Sequence, residues 1–368
     1  MRIGLITHSL NEGQSKEIYY LAKYLKKIGD DPYVFVLSPT SPHSFVYNEF
    51  VKSGIQLQIV PVFPDYSPLN HKIPGHPFIT LNEAFAIFYQ KLNRLSLLFK
   101  KYNIEVAFIS TSFVPVKPFL DSKIPYVYHF HDPIENFAVK LTRNFKGRII
   151  SHQEALLRNA ETITLTSGFH LNYIKKYSGD NYKITYYGCL PAEKRQTRKN
   201  RITFLKRFDK THFKGMATII NSMPKNKFTI AGSFASSEEK ENFLKLITGN
   251  NIQIFTNLSE DSMYAILDES LLHIGTYVEN FGTYSLEGAC RESIPILPRG
   301  IGSLEIFKDM ESCLEYPQGN INRLHDLINE LLKDENLIHK LQLNAYNVAA
   351  KYTWEKYAQT IRQILANR

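Results

Sequence analysis

Short apolar runs alternate with amphipathic helical segments along almost all of this 368-residue chain. The run RIGLIT has the composition of a buried strand, and Ile18, Leu21 and Leu25 then keep helical spacing until Gly29. Strands that alternate with helices build a parallel sheet, because each helix carries the chain back across one face of the sheet. The pattern therefore predicts an α/β fold with doubly wound parallel sheets.

The alternation is interrupted once, at CLPAEKRQTRKN (189–200), a polar and basic segment with the composition of a linker. The pattern of strands and helices restarts after it, and 368 residues exceed the size of one ordinary core. We predict two Rossmann-like domains, 1–190 and 191–352, whose parallel sheets face a central cleft.

Composition bears on the binding partners and the cellular location of the protein. Lysine and arginine number 44 against 35 acidic residues, a net charge of +9, which suits a nucleotide, an anionic lipid surface or nucleic acid. A diffusely positive surface explains the charge equally well, and no nucleic-acid-binding motif is present. The three cysteines have no metal-site spacing, and no apolar run reaches the roughly 18 residues of a membrane span. We expect a cytoplasmic protein, with peripheral contact to the inner membrane face left open.

Ligands of open α/β sheets sit beyond the carboxyl ends of the strands, so the loops there are the candidate sites. Gly13 precedes the first helix, where a glycine admits a ligand close to the backbone, although a simple turn glycine is the alternative. The loop lacks G-x-G-x-x-G, which disfavours a dinucleotide-dependent oxidoreductase. His131 directly follows the strand YVYHF, where it could orient a substrate hydroxyl or cap its own loop.

Two cations follow the strand ITFLK. Arg207 and Lys214 flank a polar loop, and we predict a helix from Gly215 onward. A guanidinium binds two oxygens at once and an ammonium adds a point charge, so the pair suits a diphosphate. A solvated basic loop is the alternative.

The segment ENFGTYSLE follows the strand LLHIG. Gly282 is predicted to turn the chain into a helix from about Thr283. Carboxylates make paired hydrogen bonds to the vicinal hydroxyls of sugars, so Glu279 and Glu287 are candidates for such contacts. An ordinary loop acid and an ordinary helix acid remain the alternative. In the predicted turn, backbone amides at a positive helix end would be available to a phosphate, those of Phe281, Gly282, Thr283 and Tyr284.

These elements together resemble the retaining GT-B glycosyltransferases of family 4. ENFGTYSLEGACRESIPIL is similar to their segment E-x-F-G-x-x-x-L-E-A-M-A-x-G-x-P-V, and RFDKTHFKG resembles their G-R…K-G element. HFHD resembles their H-D strand end, LNEGQSKEIYYLAKYL their first glycine loop, and YTWEKYA their terminal F-S-W helix. The elements occur in the family's order along nearly the whole chain.

The resemblance implies a transferase that uses a nucleotide sugar, with a UDP- or GDP-sugar as donor, and retains the anomeric configuration. It assigns acceptor binding to the N-terminal domain, nucleotide-sugar binding to the C-terminal domain, and 353–368 to a helix that crosses back. Neither cofactor nor metal is expected, since the chain has no D-x-D. The acceptor would be a glycan, a lipid-linked glycan or another hydroxyl compound.

Residue roles carried over from the family give a catalytic group of His131, Glu279, Arg207 and Lys214. The cations would hold the diphosphate, Glu287 the ribose, and Glu279 the donor sugar. His131 would contact that sugar as well. Gly13 would admit phosphate and acceptor, and the other donor-binding positions would be Phe281, Gly282 and Thr283.

Several positions depart from the family pattern. Glu12 and Lys206 stand where glycines are usual, Gly288 begins a Gly-Ala-Cys run where Ala-Met-Ala is usual, and Ser293 replaces a later glycine. A degenerate GT-B subunit that binds a partner protein is therefore the alternative function. The helix predicted at 80–102 and the basic run 140–148 are candidates for contact with a lipid-linked acceptor, or else a core helix and a solvated face.

Overall fold

The computed structural model of the chain describes residues 1–8, 10, 13–37, 45–60, 92, 94–112, 114–134, 143–192, 201–208, 210–234, 236–256, 258–276 and 278–367. The chain divides into two compact units. The first comprises Met1–Tyr186 with Trp354–Arg368, and the second comprises Tyr187–Thr353. Each unit has a parallel sheet and its own apolar core, so the predicted α/β class is confirmed.

The first unit contains a seven-stranded sheet in the order β3-β2-β1-β4-β5-β6-β7. Its strands are β1 (Arg2–Thr7), β2 (Asp31–Val36), β3 (Gln56–Ile59), β4 (Val106–Ser110), β5 (Tyr126–Phe130), β6 (Thr162–Leu165) and β7 (Tyr182–Ile184). Its helices, in the described residues, are α1 (Gly13–Lys27), α2 (Phe45–Lys52), α3 (Leu95–Lys101), α4 (Lys117–Ser122), α5 (Arg143–Asn159), α6 (Leu171–Ser178) and the last helix of the chain, α13 (Trp354–Ala366).

The second unit contains a six-stranded sheet in the order β10-β9-β8-β11-β12-β13. Its strands are β8 (Arg201–Phe208), β9 (Lys227–Phe234), β10 (Ile252–Thr256), β11 (Ser270–Ile274), β12 (Ile294–Pro298) and β13 (Leu314–Tyr316). Its helices, in the described residues, are α7 (Lys210–Ser222), α8 (Ser237–Leu244), α9 (Glu260–Asp268), α10 (Thr283–Ala289), α11 (Ile321–Leu331) and α12 (Glu335–Ala349).

The central strands are apolar runs because helices cover both faces of a parallel sheet. Strands β4, β5, β11 and β12 are buried at every residue. The polar side chains that these strands do carry, such as Ser110, His129 and His273, are therefore desolvated and need partners inside the protein.

Both sheets place their first strand beside their fourth. In the first unit β1 pairs with β4, with Thr7 opposite Ser110. In the second unit β8 pairs with β11, with Phe204 opposite Ile274. The chain leaves two such strands toward opposite sides of the sheet, which opens a crevice at their carboxyl ends.

The segment predicted as one helix over 80–102 lies only partly in the described residues. Its described end is α3, and Leu92, Leu95 and Phe99 belong to the core of the first unit. Phe85 and Phe88 lie outside the described residues, as do 193–200 of the predicted linker and 140–142 of the basic run. In the described part of the chain, no helix has the length and apolar character needed to cross a membrane.

Helix α13 packs on α1 within the first unit. The indole of Trp354 stacks on the ring of Tyr20, with centroids 5.0 Å apart and an interplanar angle of 8°. At the exposed end of the pair, Lys27 Nζ lies 3.0 Å from a Glu355 carboxylate oxygen. The aromatic pair is the stronger contact, since an exposed ion pair adds little stability.

Two helical glycines should respond oppositely to the same substitution. A Cβ at Gly288 would overlap the imidazole of His273, whereas a Cβ at Gly147 would meet no atom within 4 Å. We expect Gly288→Ala to destabilise the second unit by about 1–3 kcal/mol through overpacking. Gly147→Ala should stabilise α5 by up to about 1 kcal/mol, because alanine is the better helix former. Urea unfolding of both variants tests this, and an equal effect of the two changes would contradict the packing assigned to His273.

Buried histidines should make the first unit sensitive to mild acid. Burial lowers the pKa of His8 and of His131 to about 4, and burial followed by repulsion from His131 holds the pKa of His129 well below its usual value. The unfolded chain therefore binds protons near pH 6.5 that the folded chain does not bind until about pH 4. The resulting stability is present above pH 6.5 and is lost as the pH falls through this window.

Unfolding free energies measured between pH 7 and 4.5 test this expectation. His8→Asn should flatten the pH dependence by about one proton, or about 1.4 kcal/mol per pH unit. His325→Asn, at a half-buried position of the second unit, serves as the control and should keep the wild-type slope. An unchanged slope in His8→Asn would contradict the burial of a neutral imidazole at that position.

Candidate active site

The connection from β11 to α10 in the second unit contains Glu279 and Gly282 and is called the acidic loop below. Two hydrogen bonds hold it to the rest of the unit. It leaves β11, which is buried along its whole length. At its start, Tyr316 Oη donates a hydrogen bond of 2.7 Å to the carbonyl oxygen of Gly275. Further along, the backbone N–H of Gly302 donates to the carbonyl oxygen of Glu279 at 3.2 Å. Glu279 is thereby tied to the turn that follows β12.

Gly282 turns this loop into α10. Its φ of 76° and ψ of 73° lie in the left-handed region, which favours glycine. The helix begins at Thr283, as predicted. A Cβ at position 282 would lie 3.0 Å from Glu279 Oε1, so the carboxylate of Glu279 is folded against the backbone of the turn. A larger residue at 282 would displace that carboxylate.

The first turn of α10 is rigid. Both the backbone N–H and the hydroxyl of Ser285 donate to the carbonyl oxygen of Gly282, at 2.9 and 2.7 Å. Phe281 is buried and lies edge-to-face with Tyr187, with ring centroids 6.1 Å apart. Glu287, one turn into the helix, is only 5% exposed. Such burial is unusual for the ordinary surface acid that was the alternative reading of Glu287.

The departure from the family pattern at Gly288 has a structural counterpart, the side chain of His273. This histidine is the fourth of the five residues of β11 and is fully buried. Its imidazole occupies the space that a Cβ at Gly288 would need, and its Nδ1 lies 3.1 Å from the hydroxyl of Ser293. Gly288 therefore gives the ring room, and Ser293 supplies a polar partner inside the sheet.

The backbone places Arg207 at the carboxyl edge of the same sheet. The last residue of β8 that pairs with β11 is Phe204, but β8 continues beside β9, with Arg207 opposite Ser233. Arg207 therefore lies three residues beyond the last pair with β11, on the side of the sheet where the acidic loop begins. The strand order thus brings Arg207 and Glu279 to the same edge of the sheet, although about 70 residues separate them in the sequence.

The predicted start of the helix at Gly215 is wrong. Helix α7 begins at Lys210, five residues earlier, so Lys214 lies inside the helix and not in the loop before it. The cause is an apolar stripe that begins at Phe213 and continues with Met216 and Ile220, all buried. Lys214 is exposed on this helix and remains a predicted ligand of the diphosphate.

The first unit places His131 directly after β5. Its ring centroid lies 4.7 Å from that of His129, the fourth residue of β5. His131 Nε2 lies 2.8 Å from Ser110 Oγ at the end of β4. The ring is thus tied to the neighbouring strand.

A buried carboxylate, that of Glu17 in α1, lies close to both His129 and His131. Ser110 Oγ donates to Glu17 Oε2 at 2.8 Å, and Tyr357 Oη of α13 donates to Oε1. His129 Nε2 is 3.4 Å from Oε1, and His131 Nε2 is 3.7 Å from Oε2. Among the described residues, Glu17, His129 and His131 form the one group with the spacing of metal ligands, with ligand atoms within 4.8 Å of one another.

Sequence reasoning missed Glu17, although the chain carries a signal for it. Glu17 precedes Leu21 and Leu25 by one and two helical turns, so it lies in the buried stripe of α1. An acid in an apolar stripe indicates a polar partner elsewhere in the fold. Gly13, the other predicted residue of this region, is the first residue of α1.

Two family models match the chain, one for each half. A model described as Glycosyltransferase Family 4 matches residues 12–188. A model described as Glycosyl transferases group 1 matches residues 190–348, which include β8, the acidic loop and α10. The two matches leave few residues of the chain uncovered.

Individual proteins agree with these matches. The chain is 29% identical over 140 residues to an uncharacterized glycosyltransferase of Methanocaldococcus jannaschii, and this match spans 37% of the chain and 39% of that relative. The Anabaena protein HepE, solved with UDP-glucose, superimposes with a TM-score of 0.77 at 14% identity over 100% of both chains. WaaG, a glycosyltransferase involved in lipopolysaccharide biosynthesis, gives 0.69 at 13% identity over 99% of both chains. At such identities the solved structures establish a common fold, and the chain belongs to the group 1 glycosyltransferases of family 4, with the GT-B fold.

Proposed function

We propose that the protein is a retaining glycosyltransferase that moves a sugar from a UDP- or GDP-sugar to a hydroxyl of a glycan or lipid-linked acceptor, without a metal ion. The observation that carries this proposal is the acidic loop of the second unit. Its Gly282 turn starts a helix at the carboxyl edge of the sheet and holds the Glu279 carboxylate against that turn.

The site of the donor follows from the charges at this edge. The first N–H groups of a helix have no partner within it and favour a negative charge, so the start of α10 suits a phosphate of the donor. Arg207 and Lys214 would neutralise the rest of the diphosphate. Glu279 would then accept hydrogen bonds from hydroxyls of the transferred sugar, and Glu287 from the ribose.

The chemistry needs little beyond this arrangement. The bond between the anomeric carbon and the diphosphate oxygen breaks, and the acceptor oxygen forms a bond to the same face of that carbon. The acceptor's proton passes to the departing diphosphate, which takes up the negative charge. Fixed cations and helix-end amides stabilise the developing charge without reorganisation, so a metal clamp is unnecessary. His131 is proposed to act on the same sugar.

The relatives support the choice of substrate classes. HepE is a structural neighbour that binds UDP-glucose, and WaaG acts in lipopolysaccharide biosynthesis. A sugar attached to a lipid-linked glycan is the corresponding proposal for this chain. The net charge of +9 is compatible with peripheral contact to an anionic membrane face.

Thermal stabilisation by nucleotides tests the donor site without knowledge of the acceptor. At about 100 times its dissociation constant, a ligand adds roughly 2.7 kcal/mol of stability. We expect such a shift with one nucleoside diphosphate or its sugar, in the presence of EDTA. The shift should shrink in Arg207→Ala and Glu287→Ala but persist in Glu330→Ala, a change at an exposed acid on α11. No shift with any nucleotide would favour a subunit that binds a partner protein instead.

Replacement of Glu279 separates binding from turnover. Glu279→Ala should lower hydrolysis or transfer of the donor sugar by about 100-fold or more, because the carboxylate is proposed to act on the reacting sugar. Nucleoside diphosphate should still stabilise this variant, since α10 and Arg207 remain. The anomeric configuration of the product, read by NMR couplings, tests retention. Inversion, or wild-type turnover in Glu279→Ala, would overturn the assigned mechanism.

A further inference from the structure

We propose that Tyr357, Glu17 and Ser110 form a hydrogen-bonded chain that fixes the tautomer and orientation of His131, which makes them positioning residues for sugar transfer. The inference rests on the role of His131 in the proposed function. It adds a role for three residues in three separate elements, α13, α1 and β4.

The contacts of the chain are continuous. Tyr357 Oη donates to one oxygen of the Glu17 carboxylate, and Ser110 Oγ donates to the other at 2.8 Å. Ser110 Oγ also lies 2.8 Å from His131 Nε2. Glu17 and Ser110 are buried, and the side chain of His131 is 11% exposed, so the chain runs from the interior to an accessible ring.

The direction of the protons follows from the carboxylate end. With the Glu17 carboxylate ionised, it only accepts hydrogen bonds, and both hydroxyls then use their single hydrogen to donate to it. Ser110 Oγ has then no proton left for His131 and can only accept from it. His131 must therefore carry its proton on Nε2.

A neutral imidazole carries one N–H, so Nδ1 of His131 is left as an acceptor. The burial that lowers the pKa of His131 to about 4 keeps the ring neutral at pH 7. The hydrogen-bonded chain thus determines which ring nitrogen can accept a hydrogen bond from a substrate hydroxyl. In functional histidines, the hydrogen bond at one nitrogen commonly sets the protonation of the other.

The ring of His129 restricts the rotation of His131. His129 lies edge-to-face with His131, and its Nδ1 is 2.8 Å from Thr164 Oγ1. His129 Nε2 is turned toward the same Glu17 carboxylate, at 3.4 Å. His131 is therefore held by a hydrogen bond at one nitrogen and by a fixed ring beside it.

Metal binding by Glu17, His129 and His131 is the competing use of this cluster. Their ligand atoms lie within 4.8 Å of one another. A cation would have to take over carboxylate oxygens that already accept hydrogen bonds from Tyr357 and Ser110. The hydrogen bonds from those hydroxyls favour the hydrogen-bonded chain, and zinc binding becomes an outcome of the test.

The direct test is the tautomer of His131, read from two-bond ¹H–¹⁵N spectra of protein labelled at histidine and assigned with His131→Phe. In the wild type, His131 should show one protonated Nε2 and one bare Nδ1. In Ser110→Ala both signals should move toward the averaged position of an imidazole that exchanges between tautomers. Ser178→Ala removes a hydroxyl that bonds a carbonyl of its own helix and should leave them unchanged.

Tyr357→Phe is a second variant, in case Ser110→Ala is poorly folded. It removes the far donor of the chain and should shift the same signals in the same direction, but less. Tyr126→Phe is its control, since Tyr126 Oη is a buried donor to the Leu156 carbonyl oxygen, 2.9 Å away. Unchanged His131 signals in both Ser110→Ala and Tyr357→Phe would overturn the proposal.

Kinetics then decide whether the fixed ring serves the reaction. A mispositioned group costs on the order of 10- to 100-fold in kcat, with KM for the donor nearly unchanged, because the lost contact belongs to the transition state. Wild-type kcat in a variant whose tautomer has changed would overturn the positioning role. If the wild type turns over no donor although the spectra behave as expected, the proposed function fails. The hydrogen-bonded chain that fixes the His131 tautomer would still be supported.

A zinc titration of the wild type completes the test. One equivalent of Zn²⁺ should leave the Nε2 signals of His129 and His131 unchanged. Stoichiometric uptake with loss of the Nε2 proton of His131 would identify a metal site and overturn the chain.

Discussion

The position of the first strand beside the fourth in each sheet is the constraint on which the candidate sites depend. Helices pack on both faces of these strands, so polar side chains can collect only at the carboxyl edge of the sheet. In the first unit, that edge brings Ser110 of β4 next to His131 after β5. In the second unit, it brings the end of β8 next to the acidic loop after β11. Residues far apart in the chain therefore meet at two edges that the strand order determines.

The sequence predicted the sheets well because the parallel strands are short apolar runs, and it predicted α10 because Gly282 marks its start. It predicted α7 less well, since Phe213 stands among the polar residues of KTHFKG and Gly215 seemed the better boundary. Glu17 escaped notice for a different reason. Its meaning depends on Ser110 and Tyr357, and no local pattern places these three residues together.

Side-chain volume explains why the family pattern can change without loss of the fold. A buried histidine in β11 needs both space and a polar partner. Gly288 supplies the space and Ser293 the partner, so two positions far from His273 in the sequence form one packed group with it. Only the structure reveals this compensation, because the residues are separated by 15 and 20 positions.

The two units thus differ in how their polar groups are specified. The acidic residues of the second unit are close together in the sequence. One segment of nine residues contains both Glu279 and Glu287, which makes the pair recognisable in a sequence. The polar cluster of the first unit draws one residue each from α1, β4 and α13, and two from the β5 region. A cluster of this kind depends on the packing of α13 on α1, since a shift of that helix would withdraw Tyr357 from the Glu17 carboxylate. The aromatic stacking of Trp354 on Tyr20 therefore stabilises more than the helix pair, because it also holds the far end of the hydrogen bonds that reach His131.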